Sequence, residues 1–320
     1  LDICIRARRS TMFANDTTKR YVLTIADVRF VLSGSLDVAA FSPFFQTFWH
    51  DSVTADLDCE LSCRGPDMEC ASEPPDPGTP WSFTVCKDSC QVIRRGPTGE
   101  TLYRITGSFA FDQVSIAWNP LRFADFYTSY ENAWSTGLGL SLLMLRLRAR
   151  GGLVLHGTAA EVDGQGILCV GISGKGKSTL ARLLDAAGCT VLTDERPVLR
   201  QWPPPEDGAT PSKDFRVYGS PWPSSAGFAR NAWAPLRRIY FREHGATDRL
   251  APLPPRDAVS RLVHVATILW QDPALLDPCL ATVDALLHTV PCSVLSFRPT
   301  PAVVDVIRED VRRPVGGARA

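Results

Sequence analysis

Alternating apolar and polar residues in the first half of the chain predict short β-strands separated by turn residues. The clearest are Tyr21 to Leu32, Cys90 to Arg95 and Thr101 to Thr106, the last two joined across Gly96-Pro97-Thr98-Gly99. Residues 63–80 collect proline, glycine and acidic side chains without apolar periodicity, which is typical of a surface loop. This part of the chain is therefore predicted to be β-rich.

A helix is expected from about Asn132 to Ala149, and Gly151-Gly152 then breaks the chain. We place a domain boundary there, between a smaller β-rich (α+β) N-terminal domain of residues 1–150 and a second domain of residues 151–311. The N-terminal domain is a candidate for substrate or partner binding. Residues 312–320 are rich in glycine, proline and arginine and are expected to form a flexible tail.

The second domain opens with a pattern of strand, turn, strand, loop and helix. Leu153 to Val162 predicts a strand, Asp163-Gly164 a tight hairpin turn, and Gly166 to Val170 a second strand. Val191 to Thr193 predicts a later strand, which ends on Asp194. Between them, apolar residues recur at helical spacing and a glycine follows where a helix C-terminus favours one: Leu180, Leu183, Leu184, Ala187 and Gly188.

The rest of the domain continues to mix strands and helices, so an α/β fold class is predicted. The predicted elements are a strand at Arg237 to Phe241, helices at Asp257 to Trp270 and Pro278 to Val290, a strand at Cys292 to Phe297 and a short helix from Pro301.

Charge and hydropathy narrow the range of partners. The 34 basic and 34 acidic residues cancel, so the overall charge favours neither nucleic acid nor a membrane surface. The longest apolar stretch, Gly137 to Leu145, is far shorter than the roughly 20 residues that span a bilayer, and a soluble protein is expected. No charged-then-apolar leader opens the chain, and a start at Leu1 rather than Met is compatible with a trimmed or partial chain.

The 10 cysteines fall into two groups. Half lie in apolar segments, where cysteine behaves as a small buried hydrophobe, and this favours a reducing cytoplasm. These are Cys4, Cys169, Cys189, Cys279 and Cys292. The others lie in one segment that could hold a metal or a disulfide, although their spacings miss the CxxC of zinc knuckles. They are Cys59, Cys63, Cys70, Cys86 and Cys90.

Residues Gly171 to Ser178 match the phosphate-loop motif GxxxxGK[ST] without departure, between a predicted strand and a predicted helix. Backbone N–H groups of such a loop and the following helix N-terminus form an anion cradle. Lys177 would hold the outer phosphates, and the Ser178 hydroxyl would bind Mg²⁺. The candidate nucleotide-binding residues are Gly171, Ser173, Gly174, Lys175, Gly176, Lys177, Ser178 and Thr179.

Two acidic residues and one histidine are candidates for the chemistry. Asp194 and Glu195 end the strand that follows the loop helix, and they can supply a metal contact and a base for a substrate hydroxyl. The alternative for Asp194 is a turn or helix-capping acid. The predicted hairpin would fold His156 back beside the loop, where a structural role is the alternative. The candidate catalytic residues are Asp194, His156 and Lys177, and the candidate metal ligands are Ser178, Asp194 and Glu195.

The stretch LHGTAAEVDGQGILCVGISGKGKSTLARLLDAAGCTVLTDE resembles the C-terminal catalytic domain of HPr kinase/phosphorylase and its HPr-kinase-like serine kinase relatives. That family is related to ATP-dependent phosphoenolpyruvate carboxykinase. The resemblance implies an α/β P-loop kinase domain over roughly Leu153 to Ile307, with ATP and Mg²⁺ as cofactors. It implies phosphoryl transfer to a serine hydroxyl, with His156 beside the transferred phosphate and Asp194 as base or metal partner.

Departures from the family pattern bear on the substrate. The chain has Asp194-Glu195 where HPr kinases usually have Asp-Asp, and Arg216 to Trp222 is the segment nearest to their Glu-Ile-Arg-Gly-Leu-Gly signature. The family's Pro-Gly-Arg-Asn loop is missing, which argues against HPr as substrate. The segments Tyr218 to Trp222 and Asn231 to Tyr240 look more like kinases of peptide-modification systems, including those acting on lasso-peptide precursors. A peptide or small protein substrate is expected, and formation of a homo-oligomer is compatible with the sequence.

Two other functions remain open. Shikimate-type and adenylylsulfate-type kinases also place an Asp soon after the loop, so a small-metabolite kinase, for example one acting on free serine, is one alternative. A non-catalytic nucleotide-binding scaffold is the other, supported by Glu195 and the missing signature. Three arginines are candidates to neutralise phosphate charge or to bind an acidic substrate: Arg230, Arg237 and Arg238. The alternative is that they lie on a solvent-exposed face of a strand.

Overall fold

The computed structural model describes residues 20–33, 41–50, 57–63, 81–86, 89–108, 111, 113–118, 137–148, 150–171, 177–204, 212–268 and 273–314. The chain divides into two compact units, residues 1–146 and 147–320, which are described one at a time. The division falls inside a helix that ends at Arg148, a little before Gly151-Gly152. Within the described part of the chain, no helix has the length and apolar character needed to cross a membrane.

The described strands of the first unit form one sheet in the order β3-β1-β2-β4-β8-β7-β6-β5. The pairs β2–β4 and β4–β8 are parallel, and the others are antiparallel. A short 3-10 helix covers Pro43–Phe48, and helix α1 covers Gly137–Arg148. The strands are β1 (Arg20–Ile25), β2 (Val28–Ser33), β3 (Trp49–His50), β4 (Leu57–Cys63), β5 (Trp81–Cys86), β6 (Ser89–Arg95), β7 (Thr101–Ser108) and β8 (Gln113–Trp118).

The sequence prediction for this unit is confirmed in one hairpin and wrong in another. Strands β6 and β7 pair antiparallel around the predicted Gly96 to Gly99 turn. The predicted single strand Tyr21 to Leu32 is instead the β1–β2 hairpin, because Ala26 and Asp27 adopt φ values of 52° and 57°, as a two-residue hairpin turn requires. The signal was a change of phase, since the residues without any exposed surface fall at odd positions before the turn and at even positions after it: Leu23, Ile25, Val28, Phe30 and Leu32.

The cysteines that cluster in the sequence do not all meet in the fold. Cys59 and Cys63 lie on β4 and Cys90 lies on β6, with β8 and β7 between them. Three strand spacings separate these positions by about 14 Å along the sheet, so one metal ion cannot bind all three. Cys70 lies outside the described residues.

The second unit holds nine strands within its described residues, in the order β12-β10-β11-β15-β14-β13-β9, with β17 beside β15 and β16 beside β17. Strands β11, β15 and β17 are parallel neighbours. The strands are β9 (Gly152–Val154), β10 (Gly157–Val162), β11 (Gln165–Val170), β12 (Thr190–Thr193), β13 (Val198–Gln201), β14 (Phe215–Tyr218), β15 (Trp233–His244), β16 (Arg249–Pro252) and β17 (Cys292–Phe297). The helices are α2 (Lys177–Ala186), α3 (Pro255–Val265), α4 (Pro273–Thr289) and α5 (Ala302–Arg312).

Helices cover both faces of this sheet, which confirms the α/β fold class. Side chains alternate along β11, so Leu168 and Val170 belong to one apolar cluster, and Ile167 and Cys169 belong to the other. The first cluster includes residues of α3 and α4, and the second includes residues of α2 and α5. The strand β11 is therefore buried between two helical layers, which suits its parallel pairing with β15.

Several element boundaries in the second unit differ from the predictions. The predicted strand Leu153 to Val162 is two strands, interrupted at His156, whose N–H donates to the Val265 carbonyl at 2.7 Å. The predicted helix Asp257 to Trp270 ends at Val265 because Ala266 is extended and pairs with Leu155. Helix α5 continues through Arg312, where the tail was predicted to begin, and residues 315–320 lie outside the described part.

Helix α4 begins before Pro278, which was predicted to open it. Proline has no N–H with which to bond the carbonyl four residues back, that of Ala274. The Arg148 guanidinium donates to this carbonyl at 3.2 Å. Arg148, which belongs to the second unit, thereby supplies the donor that the proline lacks.

Arg238 is bonded within the fold, and the alternative that placed this residue on a solvated strand face was wrong. It is only 4% exposed, so it is not on a solvated face. Its Nε donates to the Asp310 carboxylate at 3.1 Å, and its Nη2 donates to the carbonyl oxygens of Asp310 and Arg313 at 3.0 Å. The cation thus stabilises the C-terminus of helix α5, where the helix dipole favours positive charge.

The predicted burial of Cys169, Cys189, Cys279 and Cys292 is confirmed, and these residues are free thiols. Burial raises the pKa of Cys279 to about 11 and that of Cys292 to about 12. Since the thiolate is the reactive species, these two thiols should be unreactive in the native protein.

We expect iodoacetamide at pH 8 to label Cys279 and Cys292 at least about 100-fold more slowly in the native protein than in guanidinium, because an unperturbed thiol has a pKa near 8.5. Peptide mass spectrometry measures both rates. Equal labelling in the two conditions would show that the thiols are accessible and contradict the burial.

Candidate functional site

The phosphate-loop motif lies between the end of β11 and the start of α2. Gly171 directly follows β11, and Ser178 and Thr179 lie in the first turn of α2, which begins at Lys177. Four predicted nucleotide-binding residues are outside the described part of the chain, as is the side chain of Lys177. They are Ser173, Gly174, Lys175 and Gly176.

The hairpin predicted at Asp163-Gly164 is confirmed, with positive φ at both residues. It pairs β10 with β11 so that Gly157 lies opposite Val170. The residues that come next in this register are His156 and Gly171. The hairpin therefore places the histidine beside the start of the phosphate-loop motif, as the sequence predicted.

Strand β12 brings Asp194 to the same edge of the sheet. It pairs antiparallel with β10, with Thr193 opposite Ala159, so β12 runs in the same direction as β11. Asp194 and Gly171 each follow the carboxyl end of one of these strands. The carboxyl edge of a sheet is where α/β proteins commonly bind ligands.

Asp194 has no exposed surface and is held by three hydrogen bonds. The backbone N–H of Ser224 donates to Oδ1 at 3.1 Å, the Ser224 hydroxyl donates to Oδ2, and the N–H of Ala226 donates to Oδ2 at 3.2 Å. These donors replace the hydrogen bonds to water that the buried carboxylate loses. Asp194 thus anchors the segment around Ser224 to the end of β12.

The Ser224 hydroxyl also connects Asp194 to the phosphate-loop helix. Its oxygen lies 3.1 Å from the Ser178 hydroxyl oxygen. Two predicted metal ligands, Ser178 and Asp194, therefore meet at a shared hydrogen-bonding partner.

Glu195 contacts His156 rather than the Ser224 segment. Its Oε1 lies 3.0 Å from Nδ1 of His156 and 3.9 Å from the Arg196 guanidinium, and His156 and Glu195 are both mostly buried. The backbone reinforces this contact, since the Gly157 N–H donates to the Glu195 carbonyl at 3.1 Å. Of the two adjacent carboxylates, Asp194 thus binds the Ser224 segment and Glu195 orients the histidine.

Gly219 lets the chain that carries Ser224 pack directly on β12. A Cβ atom there would lie 2.1 Å from the carbonyl oxygen of Arg230 and 2.6 Å from that of Leu192. The Arg230 N–H donates to the Leu192 carbonyl at 2.9 Å, which ties this segment to the strand that ends at Asp194. Only glycine fits between these two carbonyl groups.

Sequence reasoning missed Ser224 and Gly219. Both belong to the stretch that follows β14, and their partners Asp194 and Leu192 lie far from them in sequence. The available signal was a segment rich in proline, glycine and serine, which indicates a turn but does not identify its partner.

No family model matches the chain, and no curated protein matches it. One solved structure with some likeness is the Hpr(Ser) kinase/phosphatase from Coxiella burnetii, with a TM-score of 0.28 and 10% identity over 50% of this chain and 95% of that chain. A TM-score this low identifies no family.

Replacing Ser224 by Ala should lower the free energy of unfolding by about 2 kcal/mol, because a buried carboxylate loses a hydroxyl donor. Ser225→Ala is the matched control, since Ser225 is exposed, and it should change stability by less than about 0.5 kcal/mol. Urea unfolding measures both. Equal stability of the two variants would contradict the hydrogen bond to Asp194.

Gly219→Ala should lower the free energy of unfolding by about 3 kcal/mol, because the added methyl group overlaps two backbone carbonyl groups that cannot both move away. Gly164→Ala is the control for backbone strain without steric overlap, since Gly164 has φ of +78° and nothing lies near an added Cβ atom. It should lower the free energy of unfolding by only about 1 kcal/mol. A Gly219→Ala protein that unfolds at the wild-type urea concentration would refute the close packing on β12.

Proposed function

We propose that this chain is an ATP-dependent, Mg²⁺-assisted phosphotransferase that phosphorylates a serine hydroxyl on a peptide or small protein. The observation that carries the proposal is the hydrogen-bonded series Ser178, Ser224 and Asp194. It joins the hydroxyl that ends the phosphate-loop motif to a buried carboxylate at the neighbouring strand end. A phosphotransferase needs such groups close together, because nucleotide, metal and acceptor must meet.

The nucleotide phosphates would bind at Gly171 and the N-terminus of α2. The first N–H groups of a helix have no partner within the helix, and the dipole favours negative charge there. Lys177, Ser178 and Thr179 occupy this first turn. The motif residues from Ser173 to Gly176 would complete the cradle, as their glycines and backbone amides suit close approach to phosphate.

The donor set fits Mg²⁺ because it consists of oxygen atoms. Asp194 accepts three hydrogen bonds, and a carboxylate has about four acceptor positions, so coordination capacity remains. The Ser178 hydroxyl is the second ligand, and Mg²⁺ usually keeps several waters beside one or two protein ligands. When bound, the ion would neutralise charge on the transferring phosphate. Glu195 is the weaker candidate ligand because it binds His156.

Asp194 has one remaining acceptor position, so it serves either as a metal ligand or as the base, and as the base it would accept the proton of the acceptor hydroxyl. Its Oδ2 already accepts a hydrogen bond from a serine hydroxyl, that of Ser224, so the carboxylate is oriented to receive an O–H donor. His156 would contact the transferred phosphate rather than the acceptor hydroxyl. Because Nδ1 of its imidazole lies against Glu195, Nε2 is on the opposite edge of the ring and is the ring nitrogen that would contact the transferred phosphate.

Asp194→Asn should lower the rate of phosphoryl transfer at least about 100-fold, because an amide cannot accept the proton. The measurement is the mass shift of serine-containing peptides, and of free serine, after incubation with MgATP. Asp185→Asn is the control, since this carboxylate is exposed on α2, and it should retain full activity.

Each outcome of this assay discriminates between functions. Undiminished transfer by Asp194→Asn would exclude Asp194 as the base. Phosphorylation of free serine but of no peptide would favour a small-metabolite kinase, and tight MgATP binding without transfer would favour a scaffold. Absence of MgATP binding to the wild-type protein would refute the proposal altogether.

A further inference from the structure

A buried cation, Arg242, lies at the candidate site. Arg242 follows Phe241, which lies opposite Val170 in the parallel β11–β15 pair, so Arg242 lies beside Gly171. A Cβ atom built on Gly171 would be 3.7 Å from Cβ of Arg242. The arginine therefore lies at the carboxyl edge of the sheet, next to the start of the phosphate-loop motif.

Its side chain is on the face of the sheet that carries α2. Side chains alternate along a strand, so Arg242 shares a face with Tyr240, which packs in the cluster formed with α2 and α5. The guanidinium lies over the ring of Phe297 of this cluster, at 5.0 Å from the ring centroid. Helix α2 leads away from the phosphate-loop motif on this same face.

The guanidinium is buried without a counter-ion among the described residues. Arg242 is 8% exposed, and its Nε and Nη1 atoms are inaccessible and have no hydrogen-bond partner in the described structure. Burial lowers the pKa of Arg242, since the charged form loses its hydration. A buried cation without an acceptor is costly, and a phosphate oxygen is an acceptor that would offset this cost.

The two acidic residues that follow Arg242 in the sequence are already engaged by other arginines. Glu243 lies 2.7 Å from Arg261, and Asp248 lies 3.0 Å from Arg298. Residues 172–176 include no acidic residue. A ligand anion is therefore the partner that best suits Arg242.

We propose that Arg242 binds a phosphate group of the nucleotide at the carboxyl end of β15, which deepens the proposed function and rests on it. The guanidinium is a planar fork whose N–H donors match phosphate oxygens, and it would approach the phosphate from the side of β11 opposite Asp194. Arg242 thereby makes the site selective for polyphosphate over an uncharged nucleoside.

Calorimetric titration of the wild type, Arg242→Met and Arg242→Lys with MgATP, inorganic tripolyphosphate and adenosine tests this role. Arg242→Met should bind MgATP and tripolyphosphate about 10- to 100-fold more weakly and adenosine as the wild type does. Arg242→Lys should recover part of the loss, since it keeps the charge without the fork.

Arg238→Met is the matched control. Arg238 lies on the same strand and the same face, and it is also buried, but it is paired with Asp310. Its replacement should lower stability and leave the affinity of the folded protein for MgATP unchanged. Thermal melting of each variant establishes that the titrated protein is folded.

The outcomes separate the two proposals. Wild-type protein that binds neither MgATP nor tripolyphosphate would refute the proposed function. Wild-type binding with equal affinity in Arg242→Met, or an equal loss for all three ligands, would overturn the role of Arg242 alone. If neither Arg242 variant folds, hydrogen exchange of residues 239–244 in the wild type should slow when tripolyphosphate is added, and an unchanged rate would overturn the inference.

Discussion

A carboxylate without exposed surface, that of Asp194, fixes the geometry of the candidate site. Burying this charge requires hydrogen-bond donors, and the donors come from Ser224 and Ala226. The stretch between β14 and β15 therefore packs against the end of β12. Gly219 permits the approach because any side chain would collide with the backbone of the strand below. The same contact brings the Ser224 hydroxyl to Ser178, and thereby joins the helix of the phosphate-loop motif to the carboxylate.

The sheet of the second unit explains why so many polar groups meet at one edge. Strands β11, β12 and β15 run in the same direction, so Gly171 and Asp194, which follow β11 and β12, lie at the same edge of the sheet as Arg242 near the carboxyl end of β15. The two faces of the sheet carry apolar clusters, which leaves this edge as the place where charged groups gather. Buried cations of the unit then differ in function according to their partners. Arg238 caps helix α5 through Asp310, whereas Arg242 faces the start of the phosphate-loop motif.

Local signals in the sequence predicted the elements of the second unit well. The hairpin at Asp163-Gly164 formed because its two residues accept positive φ, and helix α2 ends near Gly188, whose φ is +80°. Predictions failed where a distant partner decides the structure. Helix α3 stops at Val265 because Ala266 pairs with Leu155, and helix α4 passes through Pro278, with Arg148 bonded to the carbonyl of Ala274.

The sequence by itself determined the phosphate-loop motif, the strand and helix on either side of it, and the candidates His156 and Asp194, because each depends on residues close together along the chain. Only the tertiary structure decided that Ser224 binds Asp194, that Glu195 orients His156 and that Arg242 is buried beside Gly171. These contacts join segments far apart in sequence. A buried charge takes its partner from whatever the fold places next to it, and spacing along the chain does not specify that neighbour.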